Sequence, residues 1–148
     1  MSSTRKNTVT YLDANVFAFA SALSEISAAE TTYSQRILAK VANGKLPAST
    51  SVLTWDEVVW VCRRELPFAE ALSKGNSVLV FPNLKISDVT LTVIRSAAEL
   101  ATTYNLKPRD AIHAATAILH GEKEIITDDA DFDKIRELRR VSLAQASR

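Results

Sequence analysis

Several residue types that build specialised sites are scarce in this 148-residue chain. There is one cysteine, Cys62, so no internal disulfide can form and no cysteine-rich metal site can be assembled. A lone thiol fits a reducing, cytoplasmic setting. The two histidines, His113 and His120, match neither a Cys/His metal spacing nor an HExxH frame. His113 reads as an ordinary helix residue, one turn from Asp110. Three scattered glycines cannot supply a GxxxxGKS or GxGxxG phosphate loop. Serine and cysteine nucleophile schemes lack an evident base. No apolar run approaches the ~20 residues that span a membrane. The opening "MSSTRKNTVTYLD" has no apolar stretch before a small-residue cleavage site, so no signal peptide is expected. Neither sign of charge dominates: 18 Lys and Arg stand against 17 Asp and Glu. The large basic excess of many nucleic-acid binders is therefore missing. "CRRE" (62–65) and "RELRR" (136–140) are candidate local basic clusters, each more simply a solvated helix face.

What is present suits one globular domain over 1–148, with 1–7 as a flexible tail. Strand and helix signals alternate. "TVTYLD" (8–13) is β-branched and aromatic, as a strand requires. Helices follow around 15–29 and 31–43, then an extended "LPAST" and a helix over 51–64. A shorter helix lies near 67–75, and "NLKISD" is extended. A long helix covers 87–105 with Ser87 or Asp88 as its N-cap. "KPRDAIHAATAILH" is helical with Pro108 at its start. "KEIIT" is a strand, and "DKIRELRRV" a short helix running into a last strand at 140–143. Gly44, Gly75 and Gly121 each follow a helical segment and read as its stop. This alternation predicts an α/β layer fold around a mostly parallel sheet.

In such folds ligands bind beyond the C-terminal ends of the strands. Asp13 ends the first strand there, and Asp128, Asp129 and Asp131 follow "EIIT". Two more acids lie on helices. Glu57 shares a largely apolar surface with Leu53, Trp60 and Val61, where a carboxylate is costly unless paired or bound to a cation. Asp110 lies in a first helical turn, whose dipole keeps it ionised. Each acid has a plain structural explanation: Asp13 as a cap, Glu57 as an ion-pair partner, Asp131 as a turn residue. Their joint placement is what points to a site. Oxygen donors without cysteine or histidine suit Mg²⁺ or Mn²⁺ rather than Zn²⁺. A calcium loop is excluded. Asp129, Asp131 and Asp133 match its first three ligand positions, but Lys134 stands where the glycine is needed and Arg140 where the bidentate glutamate is needed.

Four stretches, in order, resemble the motifs of PIN domains: "TYLDANVF", "SVLTWDEVVWV", "LKPRDAIHAATAI" and "IITDDADF". They run from about residue 9 to residue 143. The length is similar to that of the VapC-type toxins among PIN domains. The resemblance implies a three-layer α/β/α sandwich and a metal-dependent endoribonuclease. By position it implies Asp13, Glu57, Asp110, Asp129 and Asp131 as metal-binding acids, with Asp129 and Asp131 both matching the fourth motif and Asp128 the weakest candidate. Asn15 and Thr127 match accessory polar positions. An RNA substrate, a cognate antitoxin and a homodimer are the implied partners. Arg63, Arg64 and Arg109 are the candidates for holding RNA phosphates. Trp55, Val58, Val59 and Trp60 exceed what one helix face buries, which either a partner surface or burial on most sides explains.

Two other readings compete. A haloacid-dehalogenase-type phosphatase also uses a strand-end Asp, but needs a second Asp where Asn15 stands. A non-catalytic RNA- or protein-binding module would keep the fold without the chemistry.

Overall fold

The computed structural model describes residues 8–148 apart from 22 and 24. The expected tail at 1–7 lies outside the described residues. Five strands form one sheet: β1 (Thr10–Leu12), β2 (Ala48–Ser51), β3 (Leu84–Ser87), β4 (Glu124–Ile126) and β5 (Arg139–Val141). Their order is β3-β2-β1-β4-β5 and every pairing is parallel. Around the sheet lie α1 (Ala14–Ala20), α2 (Ala28–Ala42), α3 (Leu53–Cys62), α4 (Phe68–Leu79), α5 (Leu91–Tyr104), α6 (Pro108–Leu119) and α7 (Leu143–Ala146). The expected α/β/α sandwich is the observed one.

Side-chain alternation along the central strands builds the layers. Leu12 and Ile126 point into a core shared with α1, α2, α3 and α4. Tyr11 and Ile125, one residue away, point into a second core with α5 and α6. The chain runs outward from β1 through β2 to β3, then returns to β4 beside β1. The order therefore reverses between β1 and β4, which is where open α/β sheets leave a crevice.

Several elements depart from the sequence expectation. The helix expected over 15–29 ends at Ala20, and α2 starts afresh at Ala28, where Ser27 accepts from Glu30 N at 3.1 Å. Ser87 ends β3, and Thr90 caps α5 instead of Ser87 or Asp88, accepting from Val93 N at 3.2 Å. Gly44 and Gly121 follow helices with φ of 74° and 73°, but Gly75 lies inside α4. A Cβ there would sit 2.4 Å from Val59 Cγ2 and 3.2 Å from the Trp55 ring, so Gly75 permits close contact of α3 and α4. The short helix expected from 133 is a 3-10 helix at Ala130–Lys134, and α7 with its Ser142–Gln145 capping box was not expected.

Candidate metal centre

Asp13 follows β1 at the reversal point. It is the N-cap of α1: Oδ1 accepts from Ala14 N at 2.7 Å. Its Oδ2 accepts from Thr127 Oγ1, also at 2.7 Å, across the β1–β4 seam. Thr127 in turn accepts from Asn15 Nδ2 at 3.2 Å and from Asp129 N at 3.1 Å. One buried hydroxyl thus fixes Asp13 and the turn after β4 relative to each other. The Asp13 carboxyl is buried, which raises its pKa; His113, Thr127 and the Ala14 amide oppose the shift and Glu57 adds to it.

Glu57 projects from α3 and His113 from α6, and they meet. His113 Nε2 lies 2.9 Å from Glu57 Oε1 and 3.8 Å from Asp13 Oδ1. The other ring nitrogen, Nδ1, lies 2.5 Å from Tyr11 Oη. Burial alone would lower the pKa of His113. The hydrogen bond to Glu57 and the charges of Asp13, Glu57 and Asp110 outweigh it, so the net shift is upward. Burial, with the charge of Asp13 next, pushes the Tyr11 phenol well above its ordinary value. Sequence reasoning passed over His113 as a ligating or hydrogen-bonding group. Its one signal was the three-residue spacing from Asp110, which places both on one side of α6.

Asp110 sits in the first turn of α6, opened by Pro108 at its first position. Its pKa is raised to about 6, by burial first and then by the charges of Asp129 and Asp13. The helix N-terminus does not overcome these. Asp129 caps the 3-10 helix, its Oδ1 accepting from Asp131 N at 2.9 Å. Asp131 is more open, with a side chain 39% exposed and an ion pair to Lys134 at 3.4 Å. Asp128 accepts from Leu143 N at 2.9 Å and so ties down the start of α7. Asp133 pairs with Arg140 at 2.9 Å.

The residues fit a divalent cation on three observations. Ligand atoms of Asp13, Glu57 and His113 lie within 4.8 Å of one another, as do those of Asp110, Asp129 and Asp131. Asp110 Oδ2 and Asn15 Oδ1 are buried without a hydrogen-bond partner. Beyond burial, the charges of Asp129 and Asp13 push the pKa of Asp110 up and that of Glu57 pushes Asp13 up, a penalty that a cation among them reverses. Oxygen-rich donors of this kind match Mg²⁺ or Mn²⁺.

Glu57 and Asp110 open onto a cleft of about 570 Å³ that Trp60, Arg64, Lys107 and Arg109 also line. Arg109 is 3.2 Å from Asp56, and Arg64 is 4.0 Å from Glu25. Arg63 is not part of this cleft; its guanidinium stacks over Phe68 at 4.9 Å. Lys107 was not anticipated as a cleft residue. Among the described residues, no helix is long and apolar enough to cross a membrane.

A family model described as PIN domain matches residues 10–138. The fold is similar to that of a chain in a toxin–antitoxin complex from Klebsiella pneumoniae, at 21% identity and TM-score 0.64, covering 90% of this chain and 97% of that one. It is similar to the VapC20 toxin of Mycobacterium tuberculosis, described as cleaving the sarcin–ricin loop, at 18% identity and TM-score 0.68, covering 84% and 92%. It is also similar to a chain of VapBC2 from Rickettsia felis, solved with a promoter DNA fragment, at 16% identity and TM-score 0.67, covering 90% and 98%. No curated protein matches the chain in sequence.

Proposed function

Because the chain belongs to the PIN domain family, we propose that it is a divalent-metal-dependent endoribonuclease and the toxin of a toxin–antitoxin pair. The observation that carries the reading is the crowding of Asp110 with Asp13 and Asp129, with one buried carboxylate oxygen left unpartnered. A structural acid would have a hydrogen-bond donor at that oxygen; a ligand does not need one.

In this reading Asp13, Glu57, Asp110 and Asp129 hold Mg²⁺ or Mn²⁺, with Asp131 at the outer edge. When bound, such an ion lowers the pKa of a coordinated water and offsets charge on a phosphodiester. The chain's own groups set the geometry. Thr127 and the Ala14 amide fix both oxygens of Asp13, and Asn15 holds Thr127 in place. Lys107, Arg64 and Arg109 offer positive charge at the cleft for RNA phosphates, contacts that position a strand without reading its sequence.

The test is cleavage of structured RNA with Mg²⁺ or Mn²⁺. Asp13→Asn and Asp110→Asn should each lower the rate at least about 100-fold, since metal catalysis supplies several kcal/mol and 1.4 kcal/mol is tenfold. Undiminished cleavage by both variants would end the assignment.

An antitoxin and a second copy of the chain are proposed as partners. The toxin–antitoxin complex from Klebsiella pneumoniae with a similar fold supports the first. Exposed Trp60 at the cleft, Phe68 and Val80 at the two ends of α4, and Leu91 and Ile94 on α5 give apolar surface to bury. Co-expression with the product of an adjacent small reading frame should suppress cleavage, and light scattering reads the dimer.

A further inference from the structure

Tyr11, His113 and Glu57 form a hydrogen-bonded line behind the acidic cluster, with contacts of 2.5 Å and 2.9 Å. Tyr11 and His113 are fully buried. A carboxylate oxygen only accepts, so a bare Nε2 would set lone pair against lone pair at 2.9 Å. Nε2 therefore carries hydrogen. In the neutral ring Nδ1 then accepts the Tyr11 hydroxyl proton; in the charged ring it donates to the Tyr11 oxygen. Either way, Nε2–H points at Glu57.

We propose that His113 is a positioning residue of the metal centre: its Nε2–H holds Glu57 Oε1, leaves Oε2 for the cation, and keeps His113 itself out of the coordination sphere. The inference rests on the metal-centre reading above and adds a role to a residue outside the five acids. Its rival is ligation by the ring, because the donor atoms of Asp13, Glu57 and His113 lie within 4.8 Å of one another. One observation opposes ligation. A ligating Nε2 would have to shed its hydrogen and abandon Glu57. Side chains that orient ligands from behind typically change metal affinity 10–100-fold when removed.

Two measurements test this. The chain has two histidines, so long-range ¹H–¹⁵N spectra can resolve the ring nitrogens of His113. Nε2 should stay protonated in the metal-free protein and under saturating Mg²⁺. Loss of that hydrogen on adding Mg²⁺ would make His113 a ligand and overturn the proposal. Calorimetric titration with Mn²⁺ is the second. His113→Leu should weaken binding about 10–100-fold, His113→Gln should restore part of it through its amide N–H, and Tyr11→Phe should cost less than His113→Leu. Unchanged affinity in folded His113→Leu overturns the proposal. If that variant does not fold, Tyr11→Phe and the wild-type spectra decide, and unchanged affinity in Tyr11→Phe with Nε2 unprotonated overturns it. Wild-type protein that takes up no Mn²⁺ removes the metal-centre reading, and this inference with it. The metal-free spectrum separates that failure from the others, because it reads the hydrogen on Nε2 with no metal present.

Discussion

Asp110, Asp13 and His113 all have folded pKa values above their ordinary ones, and the sign of the consequence is common to all three. A group that binds its proton more tightly in the folded state contributes stability below its unfolded pKa and loses it as pH rises through the folded value. For Asp110 that window runs from the ordinary aspartate range up to about 6. The metal-free protein should therefore melt at a lower temperature at pH 8 than at pH 5.5. Saturating Mn²⁺ should shrink the difference, and Asp110→Asn should raise the metal-free melting temperature at pH 8. Differential scanning fluorimetry in chelator and in Mn²⁺ measures this. A metal-free melting temperature that climbs across the window would contradict the site's electrostatics. At the same scale, Asp13 caps α1 as well as facing the cluster. Asparagine caps nearly as well as aspartate, so Asp13→Asn removes the charge while keeping the helix start, whereas Asp13→Ala removes both.

Among the elements, α3 and α4 carry the clearest packing prediction. Gly75→Ala gains up to about 1 kcal/mol of helix propensity but drives a methyl toward Val59, a stiff β-branched neighbour that cannot swing aside. Overpacking of this kind costs about 1–3 kcal/mol, so the variant should be net destabilised. Val59→Ala in the Gly75→Ala background should recover part of the loss, a coupling that a double-mutant cycle of urea midpoints would resolve. This contact also marks the boundary of what the sequence displays. A glycine after "FAEALSK" looks like a helix stop, because the reason for its smallness sits some 16–20 residues earlier in α3, at Val59 and Trp55. The strand-end Asp13, the β-branched strands and the Pro108 helix start were legible because they are local signals. The role of His113 was not: Tyr11 is 102 positions away and meets it only once β1 packs on α6. The capping box of α7 was legible in principle, as Ser142 followed three places on by Gln145.

Across the whole molecule, the cluster draws on both helical layers. Glu57 comes from α3 over one face, Asp110 and His113 from α6 over the other, and Asp13 and Thr127 from the strand ends between. A cation bound by this set would link the layers through the sheet edge. Adding Mn²⁺ should slow amide hydrogen exchange together in the first turn of α6, in α3 and over 128–134, and stabilise the protein by about 2.7 kcal/mol at 100 times Kd. Protection confined to a single one of these segments would mean that the acids do not share an ion.

The buried Thr127 hydroxyl, bonded to Asp13 on one strand end and to the Asp129 amide on its own, has a consequence for synthesis. The acids that converge there are spread from residue 13 to residue 131. No contiguous half of the polypeptide carries them all. A nascent chain cannot bring these donors together until β4 pairs with β1 and the turn after it forms, and a protease cut anywhere between those residues divides the donors between two pieces. The donor set is thus complete only once β4 slots in beside β1.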